Sequence, residues 1–172
     1  RSPAKSERLA AQGAEPIVID LLDPDAVRKA VTDVRPDAII HQATALSGLS
    51  NIKNPDKEFA QTNRLRTEGT EALLAAARDV EVRRFLAQSF AGWPYAREGG
   101  PVKTEEDPLD PTPASTMRET LAAIRHLEQT VVAAGGIALR YGGFYGSPDD
   151  AQLELVRKRR FPIVGDGSGI WS

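Results

Sequence analysis

The stretch "DAIIHQATA", residues 37–45, decides the fold. Ile39 and Ile40 are β-branched, and the run 37–43 is short and apolar enough to read as a buried strand. It leads directly into Ala43, Thr44 and Ala45, three small side chains in a row. Small residues at a strand end let a backbone turn tightly or let a flat ring approach closely. A helical pattern stands on either side. Upstream, "DPDAVRKAVTDV" (23–34) opens with Asp23 as an N-cap and Pro24 at the first helical position. Downstream, 56–79 reads as one long helix with an Ala/Leu-rich end.

The alternation continues outward. Residues 3–12 read as a helix stopped near Gly13, and "PIVID" (16–20) as a buried strand. "RRFLAQS" (83–89) is a third strand. A loop of about twenty residues follows, long enough to be functional, and it holds "REGGPVKTEEDPLDPTP". "TMRETLAAIRHLE" (116–128) opens a helix over 115–134, with Thr116 and Glu119 spaced as a capping box. Strand "GIALRY" (136–141), a glycine-rich turn, a helix near 149–159 and a short strand "FPIVG" (161–165) complete the pattern. Strands alternating with helices predict a parallel sheet with helices on both faces, in one domain over 1–172. Segments 16–20, 37–42, 84–88 and 136–140 are expected to be its neighbouring parallel strands. Such sheets bind ligands beyond the C-terminal ends of their strands. Here those ends are Asp20, Ala43–Ala45, Ser89 and Arg140–Tyr145.

Composition narrows the chemistry. The chain has 172 residues, 41% of them hydrophobic, and a formal charge of −2. That balance gives no pull toward nucleic acid or an anionic membrane. No apolar run reaches the ~20 residues that span a bilayer. With no cysteine and two histidines, disulfides and thiolate sites are excluded and no metal site is expected. The same usage suits a reducing cytoplasm. The carboxylates of the long loop (Glu98, Glu105, Glu106, Asp107) and the basic run Arg157–Arg160 read as solvated charge.

Six segments, in order, resemble the NAD-dependent epimerase/dehydratase family of the extended short-chain dehydrogenase/reductase superfamily. "VIDLLDPDAV" resembles its third strand and the acidic residue after it. "PDAIIHQATAL" resembles its fourth strand. "TNRLRTEGTEALLAAA" resembles its Asn-x-x-Gly-Thr helix, with residues inserted into the spacing. "RFLAQSFAGW" resembles the strand that carries a serine, "ALRYGGFYG" the Leu-Arg-Pro-x-Asn-x-Tyr-Gly turn, and "FPIVGDGSGIWS" the segment before Val-Asp-Asp. The fold implied is Rossmann-like. Against the family pattern, the first strand and its Gly-x-x-Gly-x-x-Gly turn are missing, as is most of the C-terminal substrate lobe. The chain is therefore expected to be a fragment of a longer protein.

The resemblance implies a dinucleotide site. Asp20, with the backbone of Leu21, would meet the adenine. Ala43, Thr44 and Ala45 would wall the cofactor, and Asn63 would support the central strand or the cofactor. Tyr141, Gly142 and Phe144 fall in the last turn of the site. Arg1 and Ser2 stand where the second strand would end. A basic residue there pairs a ribose 2′-phosphate, which favours NADP over the alternative NAD. Ser89 falls at the place of a serine that hydrogen-bonds the substrate oxygen, the one catalytic candidate. A one-residue shift of register puts Phe90 there instead. His41 reads as a packed strand histidine.

One departure is decisive for mechanism. The family helix carries a tyrosine and, four residues later, a lysine; that ammonium favours a phenolate that exchanges a proton while hydride moves. Here those places hold Met117 and Leu121, in an apolar stripe with Ile124 and Val131. The resemblance therefore implies an NAD(P)-binding, epimerase/dehydratase-like oxidoreductase with an atypical mechanism, acting on a nucleotide sugar or a small carbonyl compound. The alternative is a non-catalytic dinucleotide-binding sensor or scaffold. Tyr95, Tyr141 and Tyr145 are the nearest phenols, and a homo-oligomer is compatible with either reading.

Overall fold

A computed structural model describes residues 3–46, 54–91, 94–100, 102–142 and 151–160. Its sheet has three parallel strands in the order β1 (Ala38–His41), β2 (Arg84–Phe90), β3 (Ile137–Tyr141). In the β1–β2 pair, Ala38 stands opposite Arg84 and His41 opposite Ala87. The helices are α1 (Pro3–Ala10), α2 (Pro24–Val34), α3 (Pro55–Glu58), α4 (Ala60–Arg64), α5 (Thr70–Asp79), α6 (Arg118–Ala133) and α7 (Ala151–Arg157). This is the expected Rossmann-like α/β architecture. The chain divides into two compact units, residues 1–89 with 113–139, and residues 90–112 with 140–172. No helix among the described residues is long and apolar enough to cross a membrane.

The core of the first unit follows from the helical stripes. Val27 and Val31 of α2, Leu73 and Leu74 of α5, and Leu127 and Val131 of α6 enclose Phe85 and Ala87 of β2. Asp23 caps α2 as expected: its carboxylate accepts the N–H groups of Asp25 and Ala26, with Pro24 in the first turn. Gly13, at φ +84°, ends the turn after α1. Gly136 is required by close approach. A Cβ there would sit 2.8 Å from the Phe85 carbonyl and 2.9 Å from Val131 Cγ1.

Three local expectations in the first unit are corrected. Residues 16–20 form no strand, because no described strand lies beside them to complete a ladder. The helix over 56–79 is broken at Phe59 and again by a wide π-turn, Leu65–Gly69, which takes up extra residues in one loose turn. The Thr116–Glu119 capping box does not form. A 3₁₀ turn, Ser115–Met117, precedes α6, and Asp56 of α3 caps it instead, accepting from Glu119 N–H (3.1 Å) and Thr120 N–H (2.8 Å). A carboxylate from 64 residues away outcompetes the local hydroxyl because it meets two free N–H groups at once.

The charged loop of the second unit is not uniformly solvated. Tyr95 pairs with Leu109 in an isolated antiparallel bridge and is 3% exposed. Lys103 is buried; its ammonium donates to the Glu98 carbonyl and lies 3.8 Å from Asp107 Oδ1. Glu105 and Glu106 stay exposed. The basic run Arg157–Arg160 at the end of α7 is exposed as expected, with Arg157 and Lys158 both reaching Glu154. Strand 161–165 and the glycine-rich turn from Gly143 lie outside the described residues.

Candidate functional site

The first unit gathers the expected dinucleotide residues around one stretch of helix, Thr62–Gly69. Ala45, past the end of β1, donates its N–H to Thr62 Oγ1 at 3.0 Å. His41, the last residue of β1, holds the Leu65 carbonyl through Nε2 at 3.3 Å. Gly69 lies against Leu21, whose backbone oxygen would be 3.8 Å from a Cβ at that glycine. Asp20 is exposed and accepts the Leu22 N–H at 3.1 Å, a turn that fixes its carboxylate beside Leu21. Ala43 and Ala45 are half-buried and Thr44 is exposed, so a low wall of small side chains faces outward from the strand end.

Asn63 joins this floor to α6. It is 9% exposed, and its Nδ2 donates to Thr120 Oγ1 at 3.1 Å. Thr120 is itself held by Asp56, so α3, α4 and the start of α6 are tied by one polar chain. Burial raises the Asp56 carboxyl, but the N–H and hydroxyl of Thr120 with the N–H groups of Glu119 and Arg118 hold it below the usual carboxylate range. His41 is 4% exposed, the packed strand histidine expected. Burial pushes its imidazole below the usual value, and the nearby Arg66 charge adds to that.

Ser89 is 2% exposed and donates its hydroxyl to Glu128 Oε1 at 2.5 Å. The side chain is thus committed to a carboxylate well inside α6. Phe90, next along β2, is half-buried and brings no hydroxyl. Leu121 is 1% exposed, and Ile124 and Val131 are buried with it; Met117 is half-buried. Leu121 is therefore a core side chain and Met117 an apolar side chain at its edge.

In the second unit, Tyr141 ends β3 and its carbonyl accepts the Ala91 N–H at 2.9 Å. Arg140 lies over the Tyr95 ring at 5.1 Å and donates to the Asp107 carbonyl at 3.4 Å. Gly142 is exposed. Arg1, Ser2, Phe144 and Tyr145 lie outside the described residues. Among the described residues no cluster of His, Asp or Glu is placed to hold a metal ion. The open cavity of about 530 Å³ lined by Arg78, Gln129, Thr130, Ala133 and Ala134 is at the C-terminal ends of α5 and α6, at none of the strand-end residues named above.

Asp56, Arg66 and Glu128 are missing from the sequence reading. Each acts through a partner far along the chain or through the π-turn, and local spacing signals neither.

Comparison with known proteins agrees with the resemblance. The pattern of the NAD dependent epimerase/dehydratase family matches residues 1–161. The chain is 40% identical over 168 residues to a 3-diazoavenalumate denitrifying reductase of a Streptomyces species, covering 91% of this chain and 53% of that protein. It is 28% identical to a 4-hydroxy-2-methyl-3-oxo-4-farnesyl-3,4-dihydroquinoline-1-oxide ketoreductase of Stigmatella aurantiaca, covering 97% of this chain and 49% of the relative. The chain thus spans about half the length of the curated relatives it matches. Among solved structures, the UDP-glucose 4-epimerase of Thermus thermophilus in complex with NAD superposes with a TM-score of 0.58 at 24% identity, covering 84% of this chain and 52% of that one.

Proposed function

The chain belongs to the NAD dependent epimerase/dehydratase family, and from that premise we propose that the whole protein is a nicotinamide-dependent reductase of a small electrophile that needs no protein acid. The carrying observation is Leu121, 1% exposed, with Met117 half-buried one turn before it. Reduction of a carbonyl leaves an alkoxide that must take a proton, and these two side chains give none. A substrate whose reduced form carries no oxyanion avoids that demand. An arenediazonium ion is such a substrate: a hydride forms the C–H bond, the C–N bond breaks and N₂ leaves. This chemistry is consistent with the name of the Streptomyces relative, a denitrifying reductase of a diazo compound.

The residues present suit a dinucleotide. Ala43–Ala45 leave the edge of β1 open to a flat ring, and Thr62 holds the backbone of Ala45 in place. In this reading Asp20 and Leu21 receive the adenine, and Asn63 braces the floor beneath. Bound there, the nicotinamide supplies the hydride; the protein's part is to orient the ring and exclude water. Arg1 and Lys5 favour NADP by charge, with NAD the alternative.

The experiment is reduction by the full-length protein of a benzenediazonium carboxylate and of the matching acetophenone carboxylate, with NADPH or NADH. Consumption of reduced nicotinamide with N₂ release from the first, above the rate without protein, is the expected result. Turnover of the ketone alone points to the ketoreductase reading suggested by the Stigmatella relative. Cofactor binding without turnover of either points to a sensor or scaffold. An NADPH preference lost in Arg1→Ala fits the assignment of Arg1; equal affinity for both cofactors in the wild type removes it.

A further inference from the structure

Arg66 sits on the π-turn at the end of β1 and has no acidic partner among the described residues. Its guanidinium carries five N–H donors, yet among those residues the sole group it reaches is Asn63 Oδ1, at 3.5 Å, the long limit of a hydrogen bond. The carboxylate nearest in sequence, Glu68, is occupied by Arg64 through two bonds of 2.7 Å on the exposed side of the helix. Asn63 is not free to swing toward Arg66, because Thr120 holds its amide. Arg66 is half-buried, and burial pulls its pKa down to about 10, so it keeps its charge at neutral pH in a place that disfavours charge.

A second polar group there is also unpartnered. His41 Nε2 must donate to the Leu65 carbonyl, which leaves Nδ1 as an acceptor, and that buried atom has no partner among the described residues. The π-turn links the two. It presents the Leu65 carbonyl to His41 and carries Arg66 on the next residue, close enough for its charge to act on the imidazole. A cation held without a counter-ion near His41, the last residue of β1, is a site waiting for an anion.

We propose that Arg66 receives paired anionic oxygens of the bound ligand at the C-terminal edge of β1, from a substrate carboxylate or from the diphosphate of the dinucleotide. This rests on the reductase reading above, and it makes the fork of Arg66 the group that selects an anionic ligand. A guanidinium suits either oxygen pair because it donates two parallel bonds.

The test uses the full-length protein with Arg66→Gln, Arg66→Lys and Arg66→Met, titrated calorimetrically with NADPH, with reduced nicotinamide riboside (which lacks phosphate) and with cinnamate as a carboxylate probe. Arg66→Gln is expected to weaken at least one anionic probe tenfold or more while leaving the riboside within twofold, and Arg66→Lys to recover only part of the loss. Loss on NADPH assigns the diphosphate; loss on cinnamate assigns the carboxylate. Arg66→Met is expected to melt no lower than the wild type, since it removes an uncompensated charge. Unchanged affinity of Arg66→Gln for both anionic probes overturns the proposal while leaving the reductase reading intact. A lower melting temperature in Arg66→Met also overturns it, by making the guanidinium a structural group. A wild type that takes up neither NADPH nor NADH overturns the reductase reading and this inference together.

Discussion

Residues 16–20 and β1 are two short apolar segments of nearly equal character, and only one is a strand. Each packs one side chain against the core, Ile19 in the first and Ile39 in the second. Each also exposes another, with Ile17 at 51% and Ile40 at 63%. Burial therefore does not separate them. Pairing does: β1 is bonded along its length to β2, whereas no ladder bond among the described residues reaches 16–20. A strand is a property of two chain segments, and β-propensity is realised only when a neighbour offers its backbone. The start of α6 teaches the same lesson for a helix, where a distant Asp56 replaces the local cap.

Substitutions separate residues held by pairing and burial from residues that are not. The largest effect is expected from Met117→Tyr with Leu121→Lys. Leu121 is a fully buried side chain, so an ammonium there should cost about 4 kcal/mol or more. Thermal melting and a reduced-nicotinamide assay check it; a stable variant with new dehydrogenase activity would place these two positions in a cleft rather than a core. Next, Phe85→Ala in the paired strand β2 should cost about 3–4 kcal/mol in denaturant unfolding, because Phe85 fills the centre of the core cluster. Asp56→Ala should cost about 1 kcal/mol, the usual worth of an N-cap.

The Asp56 cap also sets a pH dependence. Its folded carboxyl titrates below the ordinary range, so its contribution is complete above the unfolded value of about 3.9 and is lost as the pH falls through the folded value. Wild type minus Asp56→Asn stability, measured from pH 6 to pH 2, should shrink toward zero only at the acid end. A difference that stays constant would mean the carboxylate charge is not what caps α6. The smallest effect is expected at Ile17→Ala, under about 0.5 kcal/mol, since the side chain is half exposed and unpaired. A cost matching that of Phe85→Ala would show that 16–20 is as firmly held as β2.

Much of the frame was legible in the sequence because its signals are local. The Asp23 cap, the Gly13 stop, the three observed strands and the apolar stripe of α6 each lie within one or two turns of chain. That Asn63 is buried follows from its bond to Thr120, a contact the helix pattern alone does not reveal. The Ser89–Glu128 bond, the Asp56 cap and the burial of Lys103 were not legible either, because each depends on where a second element arrives. Ser89 shows the limit most clearly. Its place at a strand end suggested a substrate contact, whereas the alternation of β2 turns its hydroxyl toward Glu128.

The π-turn has a consequence for the phase of the whole helix. Each residue of a regular α-helix advances the side-chain direction by about 100°. The wider turn at Leu65–Gly69 lets the chain take extra residues while Leu73, Leu74 and Ala77 still point at the core. Deleting Thr67 should therefore tighten the turn and keep the α5 face in register. It would also withdraw the Leu65 carbonyl from His41 and rotate Arg66 away from the strand end. The bulge works as an angular clutch: upstream of it the helix is set by the ligand side of the sheet, downstream by the core, and the extra residues let the two settings differ.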